Sequence, residues 1–394
     1  MTRDEIMDIL KTVNYPGFSR DIVSFGMVSE VAVTGDSIQV TLEAATTNDE
    51  QKAKLSQAVK SALIEQLKAG EVEVTINAPK PSGREQAKQG PGQQASSIPG
   101  VKFTIAVASG KGGVGKSTVA VNMAAALSLT GASVGILDLD IYGPSLPLLM
   151  GVTDRPQLNE KQKIIPLQRY GMRVMSFGLI SGNQAPTIWR GPMVAKMTAQ
   201  FFTDVDWGEL DYLVLDLPPG TGDIQLTLVQ QVALSGAVIV TTPQQLALLD
   251  VRKGADMFAT VNTRVLGVIE NMSGLPLRGV VRDAAGEIVP GAIIEMTGLG
   301  EIDQLVADDQ GIFQADVPIF RSGGGQEESE RLQVPLLGRI PLSPELVIAS
   351  DSGEPYVIGY PDTPVTHEFK QIAAAVMEGL WETAADHRIP AVAE

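Results

Sequence analysis

Residues 103–118 read FTIAVASGKGGVGKST. An apolar run enters a glycine-rich turn, and the turn enters a stretch of helix-compatible residues. Gly110 to Ser117 satisfies G-x-x-x-x-G-K-[ST] at every fixed position, between a strand and a helix, as that pattern requires. The glycines let backbone N–H groups turn inward around phosphate oxygens. The following helix, expected over about 116–130, adds the partial positive charge of its N-terminus. Lys116 can reach the β- and γ-phosphates of a nucleotide, and the Ser117 hydroxyl can join a Mg²⁺ shell. The nucleotide-binding candidates are Gly110, Lys111, Gly112, Gly113, Val114, Gly115, Lys116, Ser117 and Thr118.

Downstream, apolar strand candidates recur at 133–138, 172–178, 212–217, 237–242, 265–270 and 336–340, with helical stretches between several of them. Continuous apolar strands alternating with helices argue for an α/β fold: a doubly wound, mostly parallel sheet covered on both faces. The strand at 212–217 carries a carboxylate, Asp216, after YLVL, a Walker B arrangement that would hold a water on Mg²⁺. LPPGTGD (217–223) follows as a loop able to sense a γ-phosphate, with Asp223 as a switch residue. Another strand ends in Asp138 and Asp140. Asp140 is read either as a strand-end cap or as a switch carboxylate that orients the attacking water and the waters on Mg²⁺. Lys111 is either a solvated loop lysine or a phosphate contact from a partner subunit.

The flanks differ in kind. Residues 79–100, PKPSGREQAKQGPGQQASSIPG, contain one large apolar residue, Ile98, and read as a flexible linker. Residues 1–78 read as a small α+β docking or recognition domain. Thr2 and Glu5 can form a capping box for a helix through about Thr12. Residues 25–43 read as a hairpin turning at TGDS, 34–37. Leu55, Val59, Leu63 and Leu67 share one helical face before Gly70, and Val72, Val74 and Ile76 alternate as a last strand. Residues 274–318 interrupt the α/β rhythm as a small antiparallel insertion of three or four strands, which resembles carboxypeptidase regulatory-like β modules. The main domain is expected over 101–394. Phe369, Ile372, Val376 and Leu380 form a stripe of helical spacing, read as core.

Composition excludes several functions. The 394 residues include no cysteine, so disulfides, thiolate zinc sites, cysteine nucleophiles and cysteine-held iron–sulfur clusters are ruled out. The two histidines, His367 and His387, read as surface or interface residues. A net charge of −16 disfavours nucleic acid as a partner. No apolar run reaches about 18 residues and the N-terminus lacks a signal-peptide pattern, so the expectation is a cytoplasmic protein without membrane attachment.

At these motifs a resemblance becomes specific. SGKGGVGKST, DLDIYGPS, WRGPM (189–193), DYLVLDLPPGTGD, TTPQ (241–244), GVIENMS (267–273), IFRSGGG (319–325) and VPLLGRIPL (334–342) occur in the order found in Mrp (ApbC-like) ATPases, a MinD/ParA-related group with a deviant Walker A loop. The resemblance covers about 101–360 apart from the insertion. Residues 1–78, best at RDIVSFGMV (20–28), resemble the SufT/PaaD-like domain that many such proteins carry. It implies slow ATP hydrolysis by a homodimer, with Lys111, Lys116 and Asp140 as catalytic residues and Lys111 acting across the interface. It further implies that Asn271 reads the adenine edge, against a turn-forming alternative, and that Arg190, after Trp189, lies near the dimer face. The implied cargo is an iron–sulfur cluster, bridged by a Cys-x-x-Cys pair after ENMS and handed to apoprotein or assembly-factor clients. Here Ser273 leads into the insertion and no cysteine follows. Three functions stay open: an iron–sulfur assembly factor without its own cluster, an ATP-driven switch that binds protein partners, and a positioning ATPase on membrane or DNA.

Overall fold

The computed structural model describes residues 3–14, 21–23, 27–34, 37–43, 49–67, 71–77, 96–181, 191–296 and 304–386. Three strands open the chain: β1 (Val28–Thr34), β2 (Ser37–Glu43) and β3 (Glu71–Asn77). β1 and β2 pair antiparallel, and β3 joins β2 in parallel. The helices Arg3–Leu10 and Asp49–Leu67 accompany them. Ile38, Val40, Leu42, Leu55, Val59 and Leu63 are buried, as the alternation and the helical spacing dictate. The first helix stops at Leu10 rather than near Thr12, because Thr12 turns back and its Oγ1 donates to the Ile9 carbonyl at 2.7 Å. Thr2 of the expected capping box lies outside the described residues.

The main sheet is built from β4 (Val101–Ala108), β5 (Val134–Asp138), β6 (Leu167–Arg169), β7 (Met172–Ser176), β8 (Leu210–Asp216), β9 (Gly236–Thr241), β10 (Val265–Asn271) and, after the insertion, the strand Leu336–Ile340. Its order is Leu336–Ile340, β10, β9, β4, β8, β5, β7, β6. Every neighbouring pair is parallel except β6 with β7. All residues of β5, β8 and β9 are buried, as expected of strands with both faces covered. The helix Lys116–Leu129 packs on one face through small side chains, Ala120, Ala124, Ala125 and Ala126, all buried. The C-terminal helix Pro364–Asp386 lies beside it. Its stripe Phe369, Ile372, Val376 and Leu380 is buried, each side chain contributing about 1.5–3 kcal/mol.

Three details depart from the sequence-based expectation. β6 is an antiparallel edge strand that apolar patterning did not reveal. Tyr170 and Gly171 turn it into β7 with φ of 50° and 75°, the mirror-image turn that suits a tight hairpin. The apolar run 172–178 ends as a strand at Ser176, and Phe177–Ser181 continues as a short helix. The C-terminal end of the expected linker is anchored. Ser96 N donates to Gln231 O at 3.2 Å, Ala233 N donates to Ser96 O at 3.0 Å, and Ile98 is buried. Ile98 supplies the apolar area that the rest of the segment lacks.

Among the described residues the insertion contains four strands, β11 (Leu275–Val280), β12 (Ile293–Glu295), β13 (Gln304–Val306) and β14 (Ile312–Val317). β11 pairs antiparallel with β14, and β12 with β13. Leu336–Ile340 then re-enters the main sheet beside β10 as β15. Among the described residues no helix is long and apolar enough to cross a membrane.

Candidate functional site

The loop between β4 and the helix Lys116–Leu129 lies at the carboxyl end of the sheet, where doubly wound folds bind nucleotides. Gly113 and Gly115 take φ of 84° and 78°, which only glycine adopts cheaply. At Gly115 a second constraint applies, since a Cβ there would overlap Nδ2 of Asn271. Among the described residues no carbonyl accepts from the amides of Gly112, Gly113, Val114, Gly115 or Lys116. These free donors, at the start of a helix, form an anion cradle. Thr118 follows in the first helical turn, where its carbonyl accepts from Asn122 Nδ2 at 2.9 Å.

Lys116 is buried, and its ammonium makes a very short ion pair with Asp216 Oδ1. It also lies 3.3 Å from Ser117 Oγ. The pair arises from topology: β8 lies beside β4, so the carboxylate ending one strand meets the lysine opening the helix after the other. Asp216 Oδ2 is buried without a hydrogen-bond partner among the described residues. That orphaned oxygen and the adjacent hydroxyl are hard donors suited to a Mg²⁺ ion or its water shell, so the residues present fit the cation.

A third carboxylate belongs here. Asp138 stands opposite Asp216 in the register of β5 and β8. Burial, then the nearby Asp216, push its pKa up to about 7, against hydrogen bonds from Asp140 N at 2.9 Å, Leu146 N at 3.2 Å and Ser176 Oγ at 2.9 Å. Sequence reading noticed Asp138 but gave it no role. The signal was the matched position of two aspartates on adjacent parallel strands, which becomes visible only with strand order. Asp140 is half-buried, and its Oδ1 accepts from Tyr142 N at 3.2 Å and Gly143 N at 3.1 Å. The strand-end cap is therefore a real part of its role. Oδ2 takes no part in that turn.

The 217–223 loop runs along the phosphate loop: Gly220 N donates to Ser109 O at 3.0 Å, and Gln225 Nε2 holds Pro219 O at 2.5 Å. Asp223 is exposed at the first position of the helix Asp223–Gln231. Lys111 is half-buried, and its carbonyl accepts from Ser109 Oγ at 2.9 Å. Gly110 abuts the backbone of Asp250 in the helix Gln245–Thr260, so a Cβ there would collide with main chain.

Asn271, at the end of β10, is buried and donates from Nδ2 to the Val114 carbonyl at 2.8 Å. One amide hydrogen thus braces the loop, a role sequence reading missed. Its neighbour Glu270 is buried, accepts from Gly325 N at 2.5 Å and pairs with Arg339 at 3.6 Å. This explains the last glycine of IFRSGGG: a Cβ on Gly325 would meet Glu270. Trp189, Arg190 and His387 lie outside the described residues. His367 is on the C-terminal helix, 3.0 Å from Gln371 Nε2. Among the described residues no group of three or more histidine and carboxylate side chains could hold a metal ion, so Mg²⁺ would be held here by Asp216, Ser117 and the nucleotide rather than by a protein cage.

Comparison with known proteins gives two family matches. Residues 100–282 and 296–377 match the NUBPL iron-transfer P-loop NTPase model, and residues 3–76 match an iron–sulfur cluster assembly protein model. An iron–sulfur cluster carrier protein of Deinococcus radiodurans is 38% identical over 94% of this chain and 93% of its own length. One of Synechocystis sp. is 38% identical over 95% of this chain and 98% of its own. A solved nucleotide-binding protein of Archaeoglobus fulgidus in complex with ADP is 34% identical, with a TM-score of 0.49 over 65% of this chain and 88% of that one.

Proposed function

The chain belongs to the iron-transfer P-loop NTPase family, and from that premise we propose that it is a slow, homodimeric ATP hydrolase serving iron–sulfur cluster assembly without holding a cluster on thiolates of its own. The observation that carries this reading is the phosphate loop itself: unpaired amides at 112–116, the buried Lys116–Asp216 pair and the unpartnered Asp216 Oδ2.

ATP enters by exchange. Its β- and γ-phosphates settle on the loop amides, and Lys116 transfers its charge from Asp216 to phosphate oxygens. Asp216 is thereby released to order water near Ser117. Mg²⁺, which Ser117 and, through water, Asp216 would hold, would neutralise charge developing on the phosphates. Asp140 orients the attacking water through its free carboxylate oxygen. The new P–O bond forms to that water as the β–γ bridging P–O bond breaks, and the proton leaves to solvent or phosphate. Lys111 of the second subunit stabilises charge on the leaving oxygen. Asp223 reports the loss of γ-phosphate through the 217–223 loop. Asn271 keeps the loop in place and offers its remaining amide groups to the adenine edge.

A bridging cluster does not fit this chain. Four ligands, chiefly thiolates, are required, and the sequence has no cysteine and two histidines. The same division of labour reads 1–78 as the client-facing domain, 79–100 as its linker, and 101–394 as the ATPase domain with the insertion at 274–318. The missing thiolates favour a second reading, an ATP-driven switch for protein partners that handles no cluster.

The test is anaerobic reconstitution of the full chain, with iron and sulfide counted per dimer, beside an ATPase assay. Hydrolysis without stoichiometric iron and sulfide supports the proposal. Absence of ATP binding and turnover overturns its enzymatic half, and cluster retained through gel filtration overturns the other.

A further inference from the structure

Strand β12 breaks the pattern of an ordinary surface strand. Half-exposed strands alternate apolar and polar residues, whereas uninterrupted apolar runs belong to strands covered on both faces. Residues 292–294 read Ala-Ile-Ile, and their partners 305–307 read Leu-Val-Ala. Inward, Ile294 and Leu305 are directly paired and half-buried, and Ala307 is buried. Outward, Ile293 and Val306 are directly paired, so they stand side by side on one face. They are 63% and 65% exposed. Among the described residues, two β-branched side chains in register and bare to water mark a sheet face that no other element covers.

The surroundings define what would cover it. Glu295 is exposed on the same face, two residues beyond Ile293, and Asp308 lies two beyond Val306. Across 274–318 two arginines stand against eight carboxylates. A second copy would bring the same negative charge to the contact, which disfavours self-pairing. The family match is interrupted at 283–295, so Ile293 lies outside the matched segments and Val306 lies inside the second. The insertion also leaves the main sheet three residues after Asn271, which braces the phosphate loop.

We infer that the Ile293–Val306 face is a docking site for a client polypeptide segment that is apolar at its centre and carries lysine or arginine at its ends. The inference rests on the proposed dealings with protein clients and is independent of ATP turnover.

The experiment uses the full chain and a fluorescein-labelled peptide with an alternating isoleucine–valine centre flanked by lysines, beside a twin flanked by glutamates. Anisotropy should report binding of the lysine peptide, with the glutamate twin at least tenfold weaker. The double variant Ile293→Thr, Val306→Thr keeps β-branched shape and removes apolar surface. It should bind the lysine peptide roughly tenfold more weakly, as truncating a hot-spot pair does. Val347→Thr, an exposed valine outside the insertion and outside residues 1–78, should bind like the parent. Unchanged ATP turnover in the double variant would show that its fold and nucleotide site survive, whatever the peptide result. Equal binding by parent and double variant, or by the two peptides, overturns the inference. Sedimentation showing that the double substitution dissolves a self-association also overturns it, by making a second copy the occupant.

Discussion

Asn271 Nδ2 donates to the Val114 carbonyl at 2.8 Å, so the strand that launches the insertion also braces the phosphate loop from beneath. Asn271→Ala would leave a buried carbonyl unpaired, at a cost of about 1–3 kcal/mol. ATP and GTP affinity should both fall by about tenfold if bracing is the whole role. A larger loss for ATP than for GTP, measured by titration calorimetry, would add the adenine contact. Unchanged affinity for both nucleotides would remove Asn271 from the site.

Lys116→Ala should act even before ATP arrives. The change leaves Asp216 as an uncompensated buried carboxylate, a loss of about 3 kcal/mol in the nucleotide-free protein. Thermal unfolding should show a lower Tm, and Mg-ATP should no longer raise it. A variant that retains the parent's Tm and its response to ATP would contradict the assignment.

Asp138 gives a pH signature. Its pKa, pushed up to about 7 from 3.8 by burial and by Asp216, means that the folded chain holds this proton more tightly than the unfolded chain does. Its contribution to stability is complete below about pH 4 and is lost as pH rises to about 7. Tm of the nucleotide-free protein should therefore decline more steeply over this window than Tm of Asp138→Asn. Parallel profiles would show that Asp138 does not titrate there.

Complementation tests the proposed subunit-crossing role of Lys111. Lys111→Ala and Asp140→Ala homodimers should each be inactive. A mixture should regain part of the parental ATPase rate, since one site of each heterodimer then carries both intact groups. If the mixture stays as inactive as its components, Lys111 does not act in trans.

Much of this architecture is legible in the residues. The seven main-sheet strand candidates are strands, because strands buried on both faces have to be apolar throughout. Gly110–Ser117 reads directly, since an anion cradle needs glycine at positive φ and a helix start. What depends on partners distant in sequence does not read. Asp138 looked like a companion of Asp140 until strand order set it opposite Asp216. Bracing by Asn271 requires Val114, on another strand's loop. β6 escaped notice because Tyr170 takes a left-handed conformation that glycine or asparagine usually announces. Ile98 stands out as the linker's lone large apolar residue, but its burial, with Ser96 bridged to Val232, depends on a surface the linker sequence does not contain.

The buried pairing of Lys116 with Asp216 also shapes how fast nucleotide arrives. An approaching triphosphate feels little attraction from a lysine already neutralised at contact distance, while the chain as a whole carries −16. Encounter is thus opposed at long range and rewarded only after the lysine changes partner. The association rate for ATP should rise as added salt screens the repulsion, the reverse of the salt dependence of proteins that steer anions with a basic surface. The site gives up speed of capture and stays charge-balanced while no nucleotide is bound.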